Sequence, residues 1–115
     1  MQRIDLTGFI NEYIELEIEK NIYNIPTDPD MESYVFLLKY LEGKFTAEEY
    51  IDIQQKLIIS LIVNNNKDKQ VDIAKLKAQL GATATEQFMR SYIEILINKG
   101  VLKKNPPKEK KSQSN

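Results

Sequence analysis

The chain has 115 residues, 42% of them hydrophobic, which is enough for one domain with one core. It contains no cysteine and no histidine, which excludes disulfides, the usual zinc sites, thiol nucleophiles and histidine acid–base catalysis. We therefore expect a protein that is not an enzyme and that uses no cofactor, no metal and no small-molecule substrate.

The charge is divided between the two halves of the chain. Residues 1–50 hold eleven acidic and four basic residues, and residues 51–115 hold six acidic and twelve basic ones, so the halves carry −7 and +6. This division favours self-association or protein partners of opposite charge, unless neighbouring helices of one domain neutralise each other. No apolar run approaches the roughly 20 residues of a membrane helix. Because the sequence also shows no signal peptide, we expect no membrane partner and a cytoplasmic location, or one within a particle assembled in the cytoplasm.

The segment of residues 4–23 carries two competing patterns. Its apolar residues lie on two neighbouring helical faces, but apolar and acidic residues alternate strictly from Ile14 to Glu19, which is typical of a strand. Glutamate is depleted in strands, and three glutamates on one strand face would repel each other. We predict a helix over residues 4–23, with an extended segment near residues 14–19 as the alternative. Either conformation exposes an acidic surface for a basic partner, formed by Glu15, Glu17 and Glu19.

Residues 24–30 form a predicted connector, because Pro26 and Pro29 prevent a helix from continuing. Asp30 can cap the helix that follows over residues 31–42. Apolar residues cover more than one face of that helix, so we expect it to be central or to lie at an interface. Two of its aromatic residues are assigned to partner binding, Phe36 and Tyr40.

A further helix is predicted after Gly43, the glycine that ends the preceding one. Thr46 and Glu49 are spaced as a capping box, in which each side chain accepts a hydrogen bond from the other residue's backbone N–H. The helix runs to about Val63, and the polar residues 64–69 form a loop.

Residues 72–102 indicate a short helix, a tight turn, a longer helix and the start of a strand. Asp72 can cap the short helix, and Gly81 can end it in the left-handed conformation. Thr83 and Glu86 have the spacing of a capping box for the longer helix. The end of that helix is predicted at a last-turn cation and a glycine, Lys99 and Gly100.

This order of elements resembles the winged helix-turn-helix family, whose first helix would correspond to the helix over residues 46–63. The resemblance covers only the last third of the folded part. Ten residues carry it: Ile73, Leu76, Leu80, Gly81, Thr83, Ile93, Leu96, Gly100, Val101 and Leu102. Membership implies DNA binding with the second helix of the motif in the major groove, or a role as a protein-binding module.

Two features of the sequence argue against DNA binding. The outward positions of the longer helix include one basic residue, Arg90, and two acidic ones, Glu86 and Glu94, whereas a phosphate-rich partner requires several lysines or arginines. The segment after Lys104 is Asn-Pro-Pro, which does not return as a paired strand, so the wing is expected to be short or missing.

We therefore predict a mainly α fold of about five helices, with the last three arranged as a winged-helix-like helix-turn-helix. Residues 1–104 form a single helical domain, with acidic helices in residues 1–45 and the winged-helix-like half in residues 46–104. Residues 105–115 form a basic polar tail. Its lysines are assigned to partner binding, Lys108, Lys110 and Lys111.

The predicted function is that of a non-enzymatic protein–protein interaction or assembly protein. It would be a small structural or adaptor subunit of a larger complex, such as a phage- or plasmid-encoded assembly. The alternative is a winged-helix DNA-binding transcriptional regulator that dimerises through residues 4–42. Its nucleic-acid contacts would come from the last third of the chain, from Lys75, Lys77, Thr83, Thr85, Gln87, Arg90, Lys103 and Lys104.

Overall fold

A computed structural model of the chain describes residues 2–6 and 12–103. Within them, two strands precede four helices: β1 (Tyr13–Ile18), β2 (Asn21–Pro26), α1 (Met31–Glu42), α2 (Ala47–Asn64), α3 (Ile73–Gln79) and α4 (Ala82–Asn98). The prediction of a mainly α fold with five helices is therefore wrong. A two-stranded antiparallel sheet occupies the second half of the segment that was predicted to be the first helix.

The two strands form a hairpin in which Leu16 lies opposite Tyr23. Glu19 adopts a positive φ of 57° in the two-residue turn. The inner face of β1 is half-buried, whereas its glutamates point to solvent. Tyr23 and Ile25 of β2 are buried in the core. The burial of these apolar side chains outweighs the poor strand propensity of glutamate. The carboxylates of β1 lie on the solvated face, where water weakens their mutual repulsion.

The centre of the fold is α2, which packs against α1, α3, α4 and β2. Four of its residues are fully buried: Leu57, Ile58, Leu61 and Ile62. Apolar residues of the neighbouring elements complete one continuous core around them, including Ile25, Leu37, Leu76, Met89 and Leu96. The core therefore draws on the hairpin as well as on all four helices.

Local signals fix the first two helices as predicted. The Asp30 side chain caps α1 by accepting a hydrogen bond from the Ser33 N–H, and Gly43 ends the helix at a φ of 74°. Thr46 and Glu49 form the predicted capping box of α2.

The junction between α3 and α4 differs from its prediction. Asp72 caps α3 as expected, but Gly81 has an extended conformation, with φ −76° and ψ 178°, and forms the N-cap of α4. Because α4 begins at Ala82, Thr83 already lies inside the helix and does not form the expected capping box with Glu86. The buried stripe of α4 is made by Thr85, Met89, Tyr92 and Leu96.

The end of α4 follows the prediction at Gly100, which has a φ of 81°. Val101 donates its backbone N–H to the Leu96 carbonyl over 2.9 Å, which closes the last turn. In the part of the chain that the structure describes, residues 99–103 form a turn and no strand.

Candidate interaction surfaces

Asn66, two residues after the end of α2, holds the outer edge of β2 at Asn24. Its carboxamide oxygen accepts a hydrogen bond from the Asn24 backbone N–H over 2.8 Å, and its amide nitrogen donates to the Asn24 carbonyl over 3.0 Å. The same nitrogen donates to the Ile62 carbonyl over 2.8 Å. The buried Asn66 side chain thus satisfies the strand as a neighbouring peptide unit would.

Tyr92 fixes the end of the same strand from α4. Its hydroxyl donates to the Pro26 carbonyl over 2.7 Å. Burial, with the negative charges of Asp30 and Asp28 adding to it, raises the pKa of the Tyr92 phenol, so the hydroxyl remains a donor at neutral pH. Just before β1, the exposed Glu12 forms an ion pair with Lys99, the residue that follows α4.

An apolar groove of about 630 Å³ lies between the inner face of β1 and α4. On the strand side it is lined by Ile14, Leu16 and Ile18. On the helical side its lining includes Ile58, Leu80, Ala84, Phe88, Ser91 and Ile95. The groove is open because the hairpin rests on α2 through β2, which leaves β1 on the outer side of the sheet.

A second apolar surface lies on α1, which we call the α1 stripe and define as Met31, Val35 and Leu38. These side chains are exposed to 73%, 43% and 43% of their surface. Their spacing of four and three residues places them on one helical face, opposite the buried Ser33 and Leu37. The sequence showed these apolar residues, but it did not indicate which of them the fold leaves exposed.

Polar contacts between α1 and α2 accompany the burial of Leu37 on the inner face of α1. The buried Ser33 hydroxyl bonds the Ser60 hydroxyl over 2.7 Å. Asp30 accepts hydrogen bonds from Asn64 and Asn65 over 2.8 and 3.1 Å. Burial alone would raise the pKa of Asp30, but the hydrogen bonds from the two asparagines and Ser33 outweigh it and lower that pKa.

The residues predicted to bind a protein partner occupy different places. Glu15, Glu17 and Glu19 are exposed beside the groove. Phe36 and Tyr40 are half-buried, and the Tyr40 ring stacks on Tyr50 with a centroid distance of 5.7 Å, so neither belongs to the α1 stripe. The tail lysines lie outside the described residues, Lys108, Lys110 and Lys111.

The residues predicted to contact nucleic acid do not form one basic surface. Thr85 is buried, and Gln87 lies at the groove, where its amide donates to the Ser91 hydroxyl over 3.0 Å. Arg90 is exposed on α4 near Glu94. Four others are exposed on α3, at the start of α4 and beyond its end: Lys75, Lys77, Thr83 and Lys103. Lys104 lies outside the described residues.

Comparison with known proteins found no matching family model, curated protein or solved structure. The resemblance to the winged helix-turn-helix family therefore stays a prediction. None of the described helices combines the length and the apolar character needed to cross a membrane. Among the described residues, no group of three or more acidic side chains could hold a metal ion.

Proposed function

We propose that this chain is a non-enzymatic assembly protein and that it associates with a second copy of itself through α1. The α1 stripe carries this proposal. Burying its three apolar side chains would remove from water a surface that the fold leaves uncovered in the described part of the chain.

The charges beside the stripe favour an antiparallel pair of α1 helices. Glu32 and Lys39 are both exposed, and their separation of two helical turns places them on the same flank. If the two-fold axis crosses the paired helices at the level between Val35 and Phe36, which is midway between Glu32 and Lys39, Glu32 of each copy lies opposite Lys39 of the other. Such an arrangement is isologous, so each cross-helix charge pair forms twice. The Asn64 amide, 2.8 Å from the Glu32 carboxylate, already orients that carboxylate.

The chemistry of the outward face of α4 supports protein binding over DNA binding. Helical spacing places Thr83, Gln87, Arg90 and Glu94 on this face, and the exposed Glu86 lies beside Arg90, so one positive charge meets two negative ones. The exposed carboxylates of β1 border the groove beside it. A duplex would meet fewer cations here than stable phosphate binding requires.

Sedimentation velocity of the nuclease-treated full chain tests the proposal. We expect the chain to form reversible dimers as its concentration is raised to about 100 μM. The double variant Val35→Glu/Leu38→Glu should be monomeric, because it places four glutamates in the interface. Ile51→Glu is the matched control, since Ile51 is an exposed apolar residue outside the α1 stripe. A wild-type monomer, or dimers that survive the double variant, would contradict the proposal.

A charge exchange tests the antiparallel geometry. Glu32→Lys and Lys39→Glu should each weaken the dimer, and the double variant should restore it, because the opposite charges then face each other again. Salt-sensitive binding of duplex DNA that is lost when Lys75 and Lys77 are replaced would instead support the DNA-binding alternative.

A further inference from the structure

Within the described residues the outer edge of β1 is open, and the hydrogen bonds of the neighbouring strand show which of its backbone groups point to that edge. Asn24 directs both its N–H and its carbonyl toward Asn66, away from β1. Its cross-strand partner is Glu15. Glu15 and Asn24 therefore form a non-hydrogen-bonded pair, in which the backbone N–H and carbonyl groups of both residues point away from the partner strand. The N–H and carbonyl of Glu15 thus point away from β2, to the free edge of β1.

The neighbouring pairs confirm this assignment. The Thr27 N–H donates to the Glu12 carbonyl over 2.8 Å, so these two residues form a hydrogen-bonded pair, as the alternation along the ladder requires. Pro26 points its carbonyl outward to Tyr92. The register then gives Glu17 the same outward direction as Glu15. Within residues 2–6 and 12–103, no hydrogen bond reaches the outward backbone groups of either glutamate.

We infer that β1 binds an extended segment of a partner protein as a third strand, and that this segment alternates apolar and basic residues. Side chains directly across two paired strands point to the same side of the sheet. On the inner side, residues of the added strand would enter the apolar groove beside Leu16 and Phe88. On the outer side, they would lie beside the carboxylates of Glu15 and Glu17, which favours lysine or arginine.

Neither terminal segment of the chain fits this description. Residues 2–6 supply two exposed apolar side chains, Ile4 and Leu6, but the intervening Asp5 would face the glutamates of β1. Residues 105–115 are basic but supply only prolines as apolar residues. Charge complementarity and the apolar groove together therefore favour a separate partner. This inference concerns a different surface from the α1 stripe and does not depend on self-association.

Two peptides of seven residues provide the first test. In the first peptide, lysine and isoleucine alternate. The second peptide has the same composition, but all its lysines precede all its isoleucines, and we call it the block peptide. Fluorescence anisotropy with the full chain should show binding of the alternating peptide only. A peptide with glutamate in place of lysine should bind at least roughly tenfold more weakly, since like charges would then lie across the strands.

Variants of the full chain separate the two parts of the site. Glu15→Lys/Glu17→Lys should weaken binding of the basic peptide roughly tenfold and strengthen binding of the acidic one. Glu48→Lys/Glu94→Lys makes the same change in net charge elsewhere and should leave binding unchanged. Ala84→Trp should block the groove, whereas Ala74→Trp, at an exposed residue of α3, should not.

Amide hydrogen exchange identifies strand addition directly. In the free protein, the N–H groups of Glu15 and Glu17 should exchange rapidly, while that of Leu16 is protected by the ladder. The alternating peptide should protect Glu15 and Glu17. Absence of binding, binding without this protection, or equal binding of the block peptide would overturn the inference. Protection of both glutamates in the free protein would overturn it too, because a segment of this chain would then occupy the edge.

Discussion

Asn66 hydrogen-bonds both backbone groups of Asn24, 42 residues earlier in the chain. This single side chain bonds the outward backbone groups of Asn24, on the edge of β2 that does not pair with β1. It also ties the hairpin to the last turn of α2 through the Ile62 carbonyl. Within the described residues, the outward backbone groups of Asn24 and the Pro26 carbonyl on β2 are bonded by the domain, whereas those of Glu15 and Glu17 on β1 are not, which determines where a further strand could bind.

Replacing Asn66 should loosen the hairpin. Asn66→Ala leaves the N–H and the carbonyl of Asn24 without their partner, and we expect a loss of about 1–3 kcal/mol in the free energy of unfolding. Urea denaturation measures this loss. Lys69→Ala, an exposed residue of the same loop, is the control and should change stability little. Equal stability of Asn66→Ala and the wild type would show that the observed hydrogen bonds do not support the hairpin.

Tyr92→Phe should destabilise the protein by about 1 kcal/mol at neutral pH, because the hydrogen bond to the Pro26 carbonyl is lost. The variant should also change the dependence of stability on alkaline pH. Because the pKa of Tyr92 is raised in the folded state, its contribution is complete below the unfolded pKa of about 10 and is lost as the pH rises above it.

Denaturation of the two proteins between neutral pH and pH 11 checks this prediction. The difference in stability between wild type and Tyr92→Phe should shrink as the pH rises through that range. Tyr13→Phe provides a control at an exposed tyrosine. A difference that stays constant with pH would contradict a protonated, buried Tyr92 hydroxyl.

Asp30 should make the protein sensitive to acid. Its pKa is lowered in the folded state, so its contribution to stability is present above the unfolded pKa of about 4 and is lost as the pH falls through the folded pKa. Asp30→Asn keeps a side chain that can cap α1 but removes the charge. We expect the stability difference between wild type and variant to decrease from pH 6 to pH 2, measured by urea denaturation. A difference independent of pH would show that the carboxylate charge does not contribute.

The sequence predicted the four helices because their signals are largely local, although it placed the start of α4 too late. Asp30, Gly43 and the pair of Thr46 and Glu49 each act within a few residues of a helix end. The hairpin is different: the alternation near Ile14 was visible, but local propensity favoured a helix. The contacts that support the strands come from distant residues, Asn66 and Tyr92, so the local pattern could not decide between a helix and a strand.

The α1 stripe shows the same limit for a candidate site. The apolar residues of α1 lie on several faces, and periodicity alone does not show which face is buried. The buried face carries Leu37 and also Ser33, whose hydroxyl hydrogen-bonds Ser60. Because Ser60 lies 27 residues further along the chain, this contact cannot be predicted from the sequence of α1 alone. The groove beside β1 was not predicted because one of its walls is the hairpin, and a helix was predicted from the sequence in that segment.

The two glycines that flank α4 should respond in opposite ways to the same substitution. Gly81 is the extended N-cap of α4, and an added Cβ there would meet no described atom within 4 Å. Gly81→Ser supplies a capping hydroxyl and restricts the unfolded chain, so we expect a gain of about 0.5–1 kcal/mol. Gly100→Ser is the matched comparison, because it places a side chain at a φ of 81° and should cost about 1 kcal/mol. Thermal or urea denaturation measures both; destabilisation by Gly81→Ser would contradict the start of α4 at Ala82.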